Sequence, residues 1–177
     1  MIIECTLLVL IVLCILFICY VTIYNKYQIN IIRINEADAN IGATLRKRFD
    51  LLNKAINVIK NNTDEENVLE IVKKMRSKKL NNFELDRELY EAMNEFYGYT
   101  EKYPNLKTNE QYMNINFGLA ETESEIIAFR KYYNDIITDY NKMVKSFPSN
   151  IVALFSNYKT RPYFDGKDIE KSDSVKL

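Results

Sequence analysis

The chain contains no histidine and no tryptophan, only four glycines and three prolines, and no cysteine after Cys19. Without histidine the commonest general base is missing, and with it the Ser/His/Asp and Cys/His triads and every Glu-x-x-His di-iron site. Catalytic options narrow to carboxylates, lysine and tyrosine. Because Cys5, Cys14 and Cys19 lie within the first twenty residues, the remainder can hold neither a disulfide framework nor a cysteine-based zinc site. So little glycine and proline argues against a turn-rich all-β domain and for long helices. Neither sign of charge is in excess, since 24 Lys plus Arg balance 24 Asp plus Glu, and the basic stripe of a nucleic-acid binder is lacking. No Asp/Asn loop has the spacing of a calcium or magnesium site. No nucleic acid, metal, cofactor or catalytic set is therefore expected.

What is present begins with a long apolar run. Residues 5–23, CTLLVLIVLCILFICYVTI, carry no charge and match the ~20 residues needed to cross a bilayer as a helix. A transmembrane helix over 5–23 is expected after a short N-terminus at 1–4. The flank before it holds Glu4 and no basic residue, and no small-x-small site follows, unlike a cleaved signal peptide. The three cysteines then serve as small apolar side chains in lipid, with acylation of Cys5 or Cys19 as an alternative. Lys26 and Arg33 follow the span and nothing basic precedes it, which places the body on the cytoplasmic side.

Two ladders of four-and-three spacing dominate the body. The first runs Ile31, Asn35, Asp38, Gly42, Leu45, Phe49, Leu52, Ile56, Ile59, so the membrane helix is expected to continue to about Lys60. The second runs Leu119, Glu123, Ile126, Arg130, Tyr133, Ile137, Tyr140, Val144, Phe147. Thr63 with Glu66 resembles a capping box opening a second helix to about Lys78, and Asn81–Asn82 form the next break. A third helix is expected to end near Lys102, before Tyr103 and Pro104. Thr108 with Gln111 opens a fourth, ending at Phe147 before Pro148. At ~1.5 Å per residue the first and fourth are each roughly 55 Å long outside the membrane, and the second and third roughly 22 and 30 Å. The expected fold is all-α, an N-terminal transmembrane helix continuing into an antiparallel helical bundle at 24–164, with four helices distally and a two-helix stalk near the membrane. Residues 165–177 are short, charged and expected to be a disordered tail.

The placed motifs resemble the LemA family. The resemblance runs from Tyr24 and Asn25 through Arg48-x-Asp50-Leu51 and EKYPNLK at Glu101 to Lys107. It continues through AETESEIIAFRKYYNDIITDYNKMVKSFP, Ala120 to Pro148, and ends at Tyr163 and Phe164. Its most specific part is the repeated Tyr133-Asn134 and Tyr140-Asn141 with Glu123 and Arg130 upstream. Where the family usually reads Asp-Leu-Ile-Pro-Asn-Leu-Val, this chain has Asp50-Leu51-Leu52-Asn53-Lys54-Ala55-Ile56, so a proline kink there is lost. The resemblance implies a membrane anchor on an antiparallel bundle, brings no catalytic residues, and sets membrane zinc proteases among the candidate partners.

Charges on a buried seam need partners, because an unpaired one costs several kcal/mol. In an antiparallel pair of helices the facing numbers sum to a constant, here near 178 to 180, which sets Asp50 opposite Arg130. Asp50, Glu123 and Arg130 are accordingly expected to form a structural ionic cluster, with a hydrolytic or proton-transfer site from the same three residues as the alternative. The same count brings Asp38 level with Tyr140 and Gly42 opposite Tyr133 to Ile137. Asn134 and Asn141 would fix the register of the stalk beside Asn35 and Asp38. The apolar piece Ile151, Val152, Leu154, Phe155 is expected to fold back over the stalk, the alternative being to dip into the lipid interface. The resulting functional expectation is a bacterial cell-membrane protein. It would contact the bilayer through residues 5–23 and other membrane proteins through its body, in an interaction or scaffolding role. A ligand-sensing bundle or a carboxylate-based hydrolase is the alternative.

Overall fold

The computed structural model describes residues 2–65, 67–75 and 78–164, and the proposed tail at 165–177 and the proposed capping residue Glu66 lie outside them. No strand occurs among the described residues. The helices are α1 (Ile2–Asn62), α2 (Glu70–Met75), α3 (Asn82–Lys102), α4 (Glu110–Lys145) and α5 (Ser149–Phe155), with a 3₁₀ turn at Pro104–Thr108. The chain is all-α, and α1 runs without a break from the apolar segment into the body.

Several expected ends move for local reasons. Thr63 does not open a helix; its hydroxyl donates back to the Ile59 carbonyl at 2.8 Å and closes α1, leaving α2 shorter than the expected 63–78. Asn81 is a helix start, because its side chain accepts from the Glu84 N–H at 2.9 Å while the Glu84 carboxylate accepts from the Asn81 N–H at 3.1 Å. Asn109, not Thr108, opens α4 by accepting from the Tyr112 N–H at 3.0 Å, and the Thr108 hydroxyl donates to the Asn105 carbonyl instead. α4 stops at Lys145, so Phe147 leaves the ladder and is exposed.

The described residues form two compact units, one of 2–36 and 133–163, the other of 37–132 with Phe164. In the second, the buried positions of α1 are Ala37, Ile41, Gly42, Thr44, Leu45, Arg48, Leu52, Ala55, Ile56, Val58 and Ile59. Asp38 and Phe49 of the expected ladder give way to Ala37 and Arg48, one residue or about 100° earlier, while Gly42, Leu45, Leu52, Ile56 and Ile59 are buried as expected. Ala37 faces inward where Asp38 was expected, and Ile41 is buried beside the expected Gly42. The buried residues of the same unit also include Leu69 just before α2, Val72 of α2, Leu89 and Phe96 of α3, and Tyr112, Leu119 and Ile126 of α4. Phe96 and Tyr112 stack at 4.5 Å between ring centres, and the Tyr112 hydroxyl donates to the Phe96 carbonyl at 2.7 Å.

In the first unit Tyr27 is the centre. Its ring meets Tyr140 edge-on at 5.7 Å and Tyr158 at 4.8 Å, and its hydroxyl donates to the Ser149 carbonyl at 3.2 Å. Asn157 takes a φ of 54°, a left-handed residue ending α5, and the Tyr158 N–H reaches back to the Ala153 carbonyl at 2.9 Å. That reversal returns Tyr158 to α1.

Buried phenols give the fold a pH signature. Burial raises Tyr27, Tyr97, Tyr112 and Tyr140, and pushes Tyr99 up to about 12, with the Glu95 carboxylate adding to the rise. An unfolded tyrosine titrates near ~10. Below that pH both states keep the proton and stability does not change. Above it the unfolded chain deprotonates first, the native state binds more protons, and stability falls as pH rises. Urea midpoints followed by circular dichroism should hold steady to about pH 9 and drop between about pH 10 and 12. A flat midpoint through that window would mean that these phenols are not shielded.

Candidate functional site

The polar site lies in the second unit, where α1, α3 and α4 each bring charge to one place. Arg48 is only 1% exposed and donates to three groups. Its Nε reaches the Thr122 hydroxyl at 3.3 Å, Nη1 reaches Asp86 Oδ1 at 3.4 Å, and Nη2 reaches Glu123 Oε2 at 2.6 Å. The second Asp86 oxygen, Oδ2, pairs with Arg130 Nη2. Asp86 therefore bridges two guanidiniums with its two oxygens, and Arg48 spreads three nitrogens over three acceptors, a fork that lysine lacks. Thr122 completes the inner side by donating to the Leu119 carbonyl at 2.7 Å. Arg130 lies over the Phe164 ring at 5.2 Å, and Phe164 meets Phe83 edge-on at 6.0 Å.

Two acids and two bases make this group neutral. Burial pulls Arg48 below its ordinary pKa against the opposing charge of Glu123, and pulls Arg130 down as well, with the Arg48 charge acting in the same direction. Arginine starts so high that both remain cationic. Each described charge here has an opposite charge in reach, so the arrangement binds three helices together and leaves no carboxylate set aside as a base.

Of the expected trio, Glu123 and Arg130 are in this cluster and Asp50 is not. Asp50 is exposed. The physical reason is the phase of α1: with Leu45 and Leu52 buried, position 48 falls on the interior face and position 50 lies 200° from it. The same displacement removes the alternative hydrolytic trio. Sequence reasoning missed Arg48, Asp86 and Thr122. A signal existed, since Asp86 precedes Leu89 and Met93 by three and seven residues, on the apolar face of α3.

The stalk residues also find other partners. The Asn82 amide donates to the carboxylate and the carbonyl of Asp38 at 2.9 and 3.0 Å, and a Cβ on Gly42 would meet the Asn82 side chain at 3.1 Å. In the first unit Tyr140 meets Tyr27, with the Arg161 guanidinium 5.5 Å from its ring centre. Asn141 grips the Arg161 backbone at both ends, donating to its carbonyl and accepting from its N–H, each at 2.8 Å. Asn134 is half-buried, and its carbonyl accepts from the Thr138 hydroxyl, which also meets the Tyr163 hydroxyl at 3.1 Å. Asn141 thus pins the segment after α5 and not α1.

The expected apolar patch is divided. Val152 and Ala153 are buried, whereas Ile151, Leu154 and Phe155 are exposed, with Leu154 at 80% and Phe155 at 77%. A seven-residue helix has one inner face, and here Val152 and Ala153 occupy it.

The LemA family pattern matches residues 37–177. Protein LemA of Metamycoplasma hominis is 28% identical over 139 residues, covering 74% of this chain and 63% of that protein. Magnetosome proteins MamQ 2 and MamQ 1 of Paramagnetospirillum magneticum are each 28% identical over 76 residues, 43% of this chain and 28% of theirs. The chain thus spans less than two thirds of the length of these relatives.

Proposed function

This chain belongs to the LemA family, and on that basis we propose that it is a membrane-anchored helical protein with an interaction or scaffolding role. Residues 5–23 hold it in the bacterial cell membrane. The body lies on the cytoplasmic side and engages other membrane proteins, a membrane zinc protease among the candidates. One observation carries the reading: residues 2–22 are all exposed although most are large and apolar, while the same helix continues into a packed body. A core helix would be buried, and so much apolar surface in water is not tolerated by a monomeric soluble protein. A self-neutralised charge cluster supports a structural rather than a chemical role for the polar interior.

Photocrosslinking groups placed at Tyr90 and Phe117, both exposed in the second unit, test the interaction role. The expected result is light-dependent adducts with integral membrane proteins that stay in washed membranes. No adduct at either position in intact cells counts against it.

A further inference from the structure

We propose that α5 is a second, interfacial membrane contact, resting on the anchor reading above. Its exposed side chains Ile151, Leu154 and Phe155, with Phe147 just before it at 79% exposure, form an apolar face with no cover among the described residues. Its place in the first unit says what covers it. The Tyr27 hydroxyl bonds to the Ser149 carbonyl at the start of α5, and Tyr158, just past its end, meets Tyr24 at 6.4 Å and Tyr27 at 4.8 Å. Both ends of α5 are therefore tied to the α1 residues that follow the apolar segment.

The step from Ile23 to Tyr27 along a helix is ~6 Å. The polar layer on each face of a bilayer is ~5–8 Å deep. With residues 5–23 in the hydrocarbon, α5 is held at the level of the headgroups, where amphipathic helices bury an apolar face. Tyrosines suit that level, and Tyr20 stacks on Tyr24 at 6.3 Å beneath Tyr158. The charge fits as well. Residues 24–33 and 141–163 contain Lys26, Arg33, Lys142, Lys145, Lys159 and Arg161 and not one Asp or Glu, although acids and bases are equal over the whole chain. Lys142 pairs with Asp139 at 4.0 Å, and the remaining excess of basic residues in the two stretches that flank α5 and follow the apolar segment matches anionic lipid headgroups.

The test uses the full chain with Cys5, Cys14 and Cys19 replaced by alanine, in vesicles of phosphatidylcholine and phosphatidylglycerol. A polarity-sensitive fluorophore is attached to a single cysteine at Leu154→Cys, Phe147→Cys or Leu13→Cys. Leu154 and Phe147 are exposed, so labelling there does not disturb packing. The expected result is a blue-shifted label at 154 and 147, quenched by lipids carrying a nitroxide near the headgroup and shielded from aqueous iodide. The Leu13 label should be quenched by nitroxides deep in the chains. Iodide quenching at 154 and 147 overturns the proposal while a deep Leu13 label leaves the anchor reading standing. Shielding from iodide and lipid alike also overturns it, because a second copy or another protein then covers the face. A Leu13 label in water overturns the anchor reading itself.

Discussion

Replacing Asp86 with alanine is expected to destabilise the full chain in detergent by about 3–5 kcal/mol, the cost of breaking a buried ion pair by removing one partner. Arg48 and Arg130 both rely on this carboxylate, which is 5% exposed. Without it, two guanidiniums in one interior repel each other, and Arg48 keeps only Glu123 and Thr122. Asp50→Ala, at an exposed position, should stay within about 0.5 kcal/mol of the parent. Urea unfolding followed by circular dichroism measures both. Equal effects of the two substitutions would refute the assignment of Asp86 as the shared counter-ion. Exchanging the whole group for apolar residues, Arg48→Met, Asp86→Leu, Glu123→Met and Arg130→Met together, should cost less than Asp86→Ala alone, since no charge is left stranded.

Leu13→Lys combined with Leu16→Lys is expected to move the protein from carbonate-washed membranes to the supernatant. Each lysine at the centre of a membrane helix costs about 2.5–3.5 kcal/mol and each leucine contributes about 0.3–0.6 kcal/mol in favour of insertion, so the pair shifts insertion by about 6–8 kcal/mol. That is about four to six powers of ten in the partition. Leu13 and Leu16 pack against nothing in the described structure, with both more than half exposed, so the body should fold unchanged. Retention of the double variant at the parent level in the washed pellet would rule out residues 5–23 as the anchor. Interfacial contact by α5 does not rescue it, because attachment at the headgroup level is reversible.

The ladders in α1 and α4 were legible because apolar spacing follows directly from 3.6 residues per turn. Leu45, Leu52, Ile59, Leu119, Ile126, Ile137 and Tyr140 are buried where that spacing puts them. Which residue faces inward at the Asp38 and Phe49 rungs of α1 was not legible. Asp38 and Phe49 continue a four-and-three count as well as Ala37 and Arg48 do, and counting cannot choose between rungs one residue apart. Arg48 was passed over for Phe49 because charge reads as surface until the partners are known, and those partners come from α3 and α4. Glu123 and Arg130 stood out because their own ladder was long and otherwise apolar. Asp86 sits in a shorter helix, where one acid at the edge of the apolar face looks like an ordinary exposed residue.

Composition and periodicity by themselves determined that the chain is all-α and that it carries an uncharged apolar helix of membrane-crossing length at its start. Those properties depend on residue type and on spacing along one helix, which the order of amino acids specifies directly. Only the tertiary structure decided that Asp86 and not Asp50 joins two arginines, that Asn141 holds Arg161, and that Leu154 and Phe155 face outward while Val152 faces in. Each of these depends on how one helix is rotated against another. A single residue of phase turns a helix by about 100°, enough to exchange a buried side chain for an exposed one.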